Sequence, residues 1–213
     1  MSSAYGKIPR PAIVSSLDSV LPIHKSLRDG TQATLQAVDP TNAALVAHLH
    51  VMFNQEIEDG STYPQEEQLT EAQFNDYFLG YDAFVLTKQL IEPGQNYDYE
   101  EIVIGMYYVK PNYPGRCSHI CNGGFFTSTK FRGLGAGRAM AETFLTVAPA
   151  LGYKASVFNL VFANNEASIR IWKRLGFQQV GLIPAAARLK NSPDTLVDAL
   201  IFHCDFSKVT NVA

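Results

Sequence analysis

Two arginines and three glycines in the run Lys130-Phe131-Arg132-Gly133-Leu134-Gly135-Ala136-Gly137-Arg138 have the types and spacing of an anion-binding turn. Glycine lets a backbone approach a phosphate oxygen with no Cβ in the way. A helix starting directly after such a turn offers first-turn N–H groups without intrahelical partners, together with the positive end of its dipole. Arg132 and Arg138 bracket the turn with two guanidinium forks. The spacing Arg132-x-x-Gly135-x-Gly137 is neither the Walker pattern, which needs Gly-Lys-Ser/Thr, nor the dinucleotide pattern Gly-x-Gly-x-x-Gly.

Other residues invite chemistry of their own. Asn159 alternates with Val157 and Val161 in an otherwise apolar run, which puts an amide inside a strand. A buried amide without partners costs roughly 1–3 kcal/mol, so it needs a reason to be there. Asn122 precedes Gly123-Gly124, a pair expected to bend its strand. Cys117-Ser118-His119-Ile120-Cys121, with His203-Cys204 further on, lacks the second matched cysteine pair of a zinc site. Packed thiols and a structural histidine are expected there, and no metal. Glu56 and Glu58 read either as attractors of an amine or a base, or as solvated helix-end carboxylates.

The elements that must hold these residues follow from periodicity and turn chemistry. Residues 31–38 alternate as a strand stopped at Asp39-Pro40. Thr41 or Asn42 caps a helix with the stripe Leu45, Leu49, Met52, Phe53 and Ile57, which Gly60 ends. Thr70 caps a second helix bearing Phe74, Tyr77, Phe78 and Tyr81 on one side. Strands are expected at 83–88, 102–109 and 119–127, with an exposed acidic and aromatic loop over 91–99. Met140, Phe144, Val147 and Ala148 give the helix after the Gly-rich turn one apolar face. A strand over 154–162, a short helix over 166–175 and a closing strand pair, 177–183 and 196–206, complete the chain. This is an α/β (α+β) pattern, a mixed central sheet flanked by helices. Residues 1–30 carry scattered Pro and Ser and read as an irregular arm, and 31–213 as a single domain.

With 213 residues, 46% of them hydrophobic, the chain is large enough for a real core. A net charge of −3 gives no reason to expect nucleic acid or an anionic membrane surface as a partner. No run approaches the ~18 apolar residues of a spanning helix, and the N-terminus has neither a secretory nor an Arg-rich transit pattern. An odd count of 3 cysteines fits a reducing compartment. A cytoplasmic protein is expected.

The Gly-rich run resembles the acetyl-CoA pyrophosphate loop of the GCN5-related N-acetyltransferase (GNAT) family, Arg/Gln-x-x-Gly-x-Gly/Ala. Asn165-Glu166-Ala167-Ser168-Ile169-Arg170-Ile171-Trp172, followed by Gly176-Phe177, is similar to the family's second signature and starts 28 residues after Gly137. Further strings, among them Gly60-Ser61-Thr62-Tyr63-Pro64-Gln65, Val109-Lys110-Pro111-Asn112-Tyr113 and Phe158-Asn159-Leu160-Val161-Phe162, look like fungal members that detoxify L-azetidine-2-carboxylate and related proline analogues.

That resemblance implies the GNAT fold, with strands splayed at an acetyl-CoA site, and acetyl transfer to a small amino or imino acid. It implies that Asn122 and Asn159 hold the acceptor and act catalytically, with Tyr63 and Leu160 also on the acceptor pocket. It places acetyl-CoA, as co-substrate, against Phe125, Phe126, Thr127, Arg132, Gly133, Leu134, Gly135, Ala136, Gly137, Arg138, Asn165, Ser168 and Trp172. Homodimerisation, through the final strands, is a family expectation. Trp172 departs from the pattern: many members place there a Tyr as acid for the leaving thiolate, and an indole N–H donates without being a usable acid. The alternatives are a polyamine or peptide-lysine acetyltransferase, suggested by the acidic residues around 56–67 and 98–101, and a CoA-binding sensor without turnover.

Overall fold

The computed structural model describes residues 8–9 and 16–209. Eight strands, β1 (Ile23–Ser26), β2 (Gln32–Ala37), β3 (Asp82–Thr87), β4 (Val103–Pro111), β5 (Ile120–Thr127), β6 (Ala155–Phe162), β7 (Gln178–Ala187) and β8 (Val197–Asp205), form one sheet. Their order is β1-β2-β3-β4-β5-β6-β8-β7. Every neighbouring pair is antiparallel except β5–β6, which is parallel and short: only Ile120↔Ala155 and Cys121↔Ser156 are partnered. From Asn122 onward the two central strands part, so one edge of β5 faces a cleft instead of a strand.

Alternation along β4 and β5 feeds two cores. Tyr107, Val109 and Cys121 belong to one, built with α4 (Ala136–Ala150), the preceding Gly-rich turn and α5 (Glu166–Arg174). Met106, Tyr108 and Phe126 belong to the other, with α1 (Ala43–Asp59) and α2 (Glu71–Phe78). The predicted stripe on α1 is buried at Leu45, Leu49, Phe53 and Ile57, and the α4 stripe is fully buried at all four positions. Burial of these faces, at about 1.5–3 kcal/mol per large aliphatic or aromatic side chain, is what holds both helix layers to the sheet.

Capping follows the side-chain chemistry. Asn42 Oδ1 accepts the Leu45 N–H at 3.1 Å, and Gly60 ends α1 at φ 60°. Thr70 and Gln73 form a reciprocal capping box on α2.

Four expectations change. The N-terminal arm is not irregular throughout: residues 23–26 are β1, paired with β2, and Ile8 is buried with its N–H on Tyr81 Oη at 2.9 Å. A four-residue edge strand carries too little alternation to show in sequence. Residues 1–7 and 10–15 of that arm lie outside the described residues. In the 91–99 loop, Ile91 and Tyr99 are buried, and Tyr99 opens a one-turn helix, α3 (Tyr99–Ile102), with its hydroxyl donating to Asn42 Oδ1. Strand β7 runs on to Ala187 through Pro184, because a register shift after Ile183 absorbs the proline. The Gly123-Gly124 pair makes no bulge in β5: its register with β4 is unbroken from Thr127 to Cys121. Glycine is needed there for room. A Cβ on Gly124 would sit 2.6 Å from the Tyr108 ring.

Candidate active site

The Gly-rich turn sits at the N-terminus of α4. Gly133 and Gly135 hold φ of 81° and 92°, a left-handed backbone that an L side chain resists, and no side chain caps the helix. Its first-turn N–H groups are therefore free of a capping partner. Beside this turn runs the open edge of β5. Phe125 and Phe126 turn their rings into opposite cores: Phe125 packs on Trp172 and Tyr107, with centroids 5.0 and 5.1 Å away, and Phe126 on Phe53 at 4.9 Å. The backbone from Asn122 to Thr127 is left along the cleft. Both guanidinium forks are engaged by carboxylates, Arg132 with Glu56 at 2.8 Å and Asp59 at 3.5 Å, and Arg138 with Glu142 at 2.7 Å.

Across the cleft, Asn165 Oδ1 caps α5 by accepting the Ser168 N–H at 3.1 Å. Ser168 Oγ in turn accepts the Trp172 Nε1–H at 2.9 Å. The Trp172 ring is buried against Phe158 and Phe177, at 4.4 and 5.0 Å.

On the α1/α2 side the structure gathers a second set. Asn122 and Asn159 flank the point where β5 and β6 part, without a hydrogen bond between them. Asn122 Oδ1 accepts the Gly123 N–H at 2.8 Å. Asn159 is only half-buried, and its amide is locked to that of Asn112 by two reciprocal bonds: Nδ2 of Asn159 donates at 2.6 Å and Nδ2 of Asn112 at 3.1 Å. The reach is possible because β6 skips register between Phe158 and Val161, freeing Asn159 and Leu160 from β8. Next to Asn122, its cross-strand partner Lys110 lays Nζ over the rings of Tyr77 and Tyr108, at 4.1 and 4.6 Å.

Tyr63, Tyr77 and Tyr108 form a triangle of hydroxyls 2.7, 3.1 and 3.2 Å apart. Burial pushes the Tyr63 and Tyr108 hydroxyls well above the ordinary phenol range; Tyr108 and Tyr77 add to it at Tyr63, and Tyr77 adds to it at Tyr108 while the Tyr63 hydrogen bond opposes it there. Tyr77 goes the other way. Burial would raise it, but the Lys110 charge and hydrogen bonds from Tyr108, Tyr63 and Gln65 outweigh that and bring it below the usual value.

Tyr63 and Leu160 meet on the wall of a 680 Å³ cavity between the α1–α2 connection and the end of β7. Ile57, Phe162, Leu189 and Leu196 make its apolar lining, and Arg188 and Lys190 lie at its side. Ala185, at φ 50°, turns the end of β7 over the cavity, with its N–H held by Asp198 Oδ1 at 2.8 Å. Lys190 closes the other side by donating to the Glu58 carbonyl at 2.6 Å and pairing with its carboxylate at 3.1 Å. Glu56 and Glu58 are thus both tied to cations, and Lys190 holds the Glu58 carboxyl below the usual range, first by hydrogen bonding and then by charge.

The cysteines are separated from this chemistry. Burial pushes the Cys121 thiol far up and Cys204 to about 11, while Cys117 is exposed on a turn. Among the described residues no group of three or more His, Cys, Asp or Glu is placed to hold a metal ion, and no helix is long and apolar enough to cross a membrane.

Residues 50–177 match the acetyltransferase (GNAT) family, a stretch that includes the Gly-rich turn, the splay and α5. N-acetyltransferase aca1 of Schizosaccharomyces pombe is 42% identical over 169 residues, covering 76% of this chain and 80% of that protein. The chain belongs to the acetyltransferase (GNAT) family. Two solved structures share the fold. A GCN5-related N-acetyltransferase from Kribbella flavida has a TM-score of 0.69 at 23% identity, over 81% of this chain and 97% of its own. The protein yncA of Salmonella typhimurium, with its cofactor acetyl-CoA, has a TM-score of 0.65 at 17% identity, over 85% and 96%.

As a family member this is an acetyl-CoA-dependent N-acetyltransferase. Its residues fit the co-substrate. The left-handed glycines, the uncapped start of α4 and the unpaired edge of β5 present backbone donors to one cleft, as a pyrophosphate followed by an amide-bearing arm requires. Sequence reasoning missed the residues gathered around Asn122 and Asn159: Asn112, Lys110, Tyr77 and Tyr108. Counting from the turn at 111–114 gives no signal for Lys110, because the β4–β5 register is centred on Arg116, further along the connection.

Proposed function

We propose that this acetyltransferase moves the acetyl group directly to the nitrogen of a small α-amino or imino acid, a proline analogue such as L-azetidine-2-carboxylate. The observation that carries the reading is the largely apolar cavity lined by Tyr63 and by Leu160, the residue that follows Asn159 in β6. An apolar wall suits a ring, and amides suit the polar end of a zwitterion.

Bound acetyl-CoA supplies an activated thioester. The start of α4, with Gly133 to Arg138, holds its phosphates, and the N–H groups of Phe125 to Thr127 hold the arm and polarise the thioester carbonyl. Asn165 and Ser168 shape the far wall of the cleft. Asn122 and Asn159 fix the acceptor nitrogen for attack, and placement of two reactants accounts for much of the rate. The acceptor nitrogen must lose its ammonium proton before attack, and water takes that proton. No acyl-enzyme is involved: the cysteine nearest the site, Cys121, is buried with its thiol held protonated. The acidic groove of a polyamine or lysine acetyltransferase has less support, since Glu56, Glu58, Glu100 and Glu101 are all paired with the chain's own cations. The enzyme works as a homodimer through β7.

The test is thiol release from acetyl-CoA across azetidine-2-carboxylate, proline and hydroxyproline isomers, primary amino acids, spermidine and a lysine peptide. Release with the cyclic acids is expected, and release with spermidine or the peptide alone overturns the acceptor. Asn159→Ala is expected to collapse turnover while acetyl-CoA still binds; unchanged turnover removes Asn159 from the mechanism.

A further inference from the structure

Lys110 differs from the other described cations, which either pair with a carboxylate or, like Arg28, Lys88 and Arg188, are exposed. Lys25, Lys130, Arg132, Arg138, Arg170, Lys190 and Lys208 each have a carboxylate within ion-pair distance. Lys110 has none among the described residues, yet it is half-buried. What it has instead is two aromatic faces, Tyr77 at 4.1 Å and Tyr108 at 4.6 Å. Ring faces attract an ammonium group, but by only about 0.5–2 kcal/mol, and they leave its charge uncompensated. A half-buried charge without a counter-ion is unusual, because desolvation is offset only when an opposite charge is supplied.

Its place in the sheet says where that opposite charge comes from. Lys110 is directly opposite Asn122 in the β4–β5 ladder, on the face that carries Tyr108 and Gly124. Two residues further along β4's direction, Asn112 locks the amide of Asn159 by two hydrogen bonds. One cation and three amides thus share the surface at which β5 and β6 part. Each amide of the Asn112–Asn159 pair keeps a second N–H and a second lone pair beyond the two bonds it uses. A ligand matching this surface carries one negative group and one polar N–H group a few atoms apart.

We infer that Lys110 is the counter-ion for the acceptor's carboxylate, and that its charge selects an α-amino or imino acid over a plain amine. This rests on the proposed acceptor class and adds the residue that enforces it. The ring contacts hold the ammonium group in place before the ligand arrives, so little ordering remains to be done on binding. The field of Lys110 already acts on the neighbouring Tyr77 hydroxyl, which it draws below its ordinary value against the effect of burial.

The experiment compares azetidine-2-carboxylate, its primary amide and azetidine as acceptors for the wild-type enzyme and for Lys110→Met and Lys110→Arg. For the wild type, the acid is expected to have a KM about 10- to 100-fold lower than the amide, the range that a charge-assisted contact provides. Lys110→Met is expected to erase that gap while leaving the KM for acetyl-CoA within about twofold, and Lys110→Arg to restore part of it. Equal loss of rate on acid and amide in Lys110→Met would show a packing role on the tyrosines and overturn the inference. Equal KM values for acid and amide in the wild type overturn it with no variant needed. An enzyme that acetylates azetidine or spermidine and ignores every carboxylate-bearing acceptor overturns the proposed function, and this inference with it.

Discussion

Trp172 occupies the position at which many relatives keep a phenolic acid, and its surroundings show what it does instead. Its N–H goes to Ser168 Oγ one helical turn back, and its ring sits among Phe125, Phe158 and Phe177. The residue is 5% exposed, so it joins α5 to the sheet rather than presenting a proton to the cleft. Trp172 therefore supplies no proton to a leaving thiolate. Trp172→Phe removes a buried hydrogen bond and part of a packed ring. It is expected to lower unfolding free energy by about 1–3 kcal/mol, read from urea denaturation at constant slope. A change under about 0.5 kcal/mol would show that the indole contributes nothing beyond a phenyl ring.

At the scale of elements, the hairpin of β4 and β5 is the frame on which both halves of the site are mounted. One of its faces carries Tyr107 and Phe125 against α4 and α5, and the other carries Tyr108, Lys110 and Asn122 beneath α1 and α2. Gly124 makes this possible, since the Tyr108 ring lies where its Cβ would be, with the ring's Cε1, Cζ and Oη all within 2.8 Å. Tyr108 cannot step aside cheaply: it is 4% exposed and bonded to both other tyrosines. Gly124→Ala is expected to cost about 1–3 kcal/mol through overpacking. It should also raise the acceptor KM more than the acetyl-CoA KM, because the displaced ring supports Lys110. A stability change without any change in acceptor KM would separate the tyrosine cluster from acceptor binding.

For the whole molecule, the sheet order leaves β7 as an edge ten residues long, Gln178–Ala187, with Val180 57% and Leu182 50% exposed. It carries no Lys, Glu, Asp or Arg, and its guards are Pro184 and two register shifts, one between Gln179 and Gly181 and one beyond Ile183. A second copy of the chain, pairing β7 to β7, would cover it. Light scattering is expected to give twice the chain mass, and the double variant Val180→Lys with Leu182→Lys to give a folded monomer. A wild type that stays monomeric at high concentration would discard the dimer. At the opposite edge the sheet ends in β1, which ties the start of the described chain to the α4 side through Lys25 and Glu142 at 3.1 Å.

The sequence by itself determined the elements and the family. Helices α1, α2 and α4 were legible because each carries buried residues at helical spacing with an Asn, Thr or Gly at its ends, and α5, which buries only Trp172, from Asn165 before it and Gly176 after it. The Gly-rich turn was legible because left-handed glycines at a helix start have few other uses. Local pattern stops at the strand, however, and the proposed acceptor side is made of contacts between residues far apart in the chain. Asn112 meets Asn159 across 47 positions, Tyr63 meets Tyr108 across 45, and Lys190 meets Glu58 across 132. Only the tertiary structure decided these, through the register of β4 on β5 and the parting of β5 from β6. It also decided why glycine stands at Gly124, where a tyrosine ring on the neighbouring strand takes the room of a Cβ.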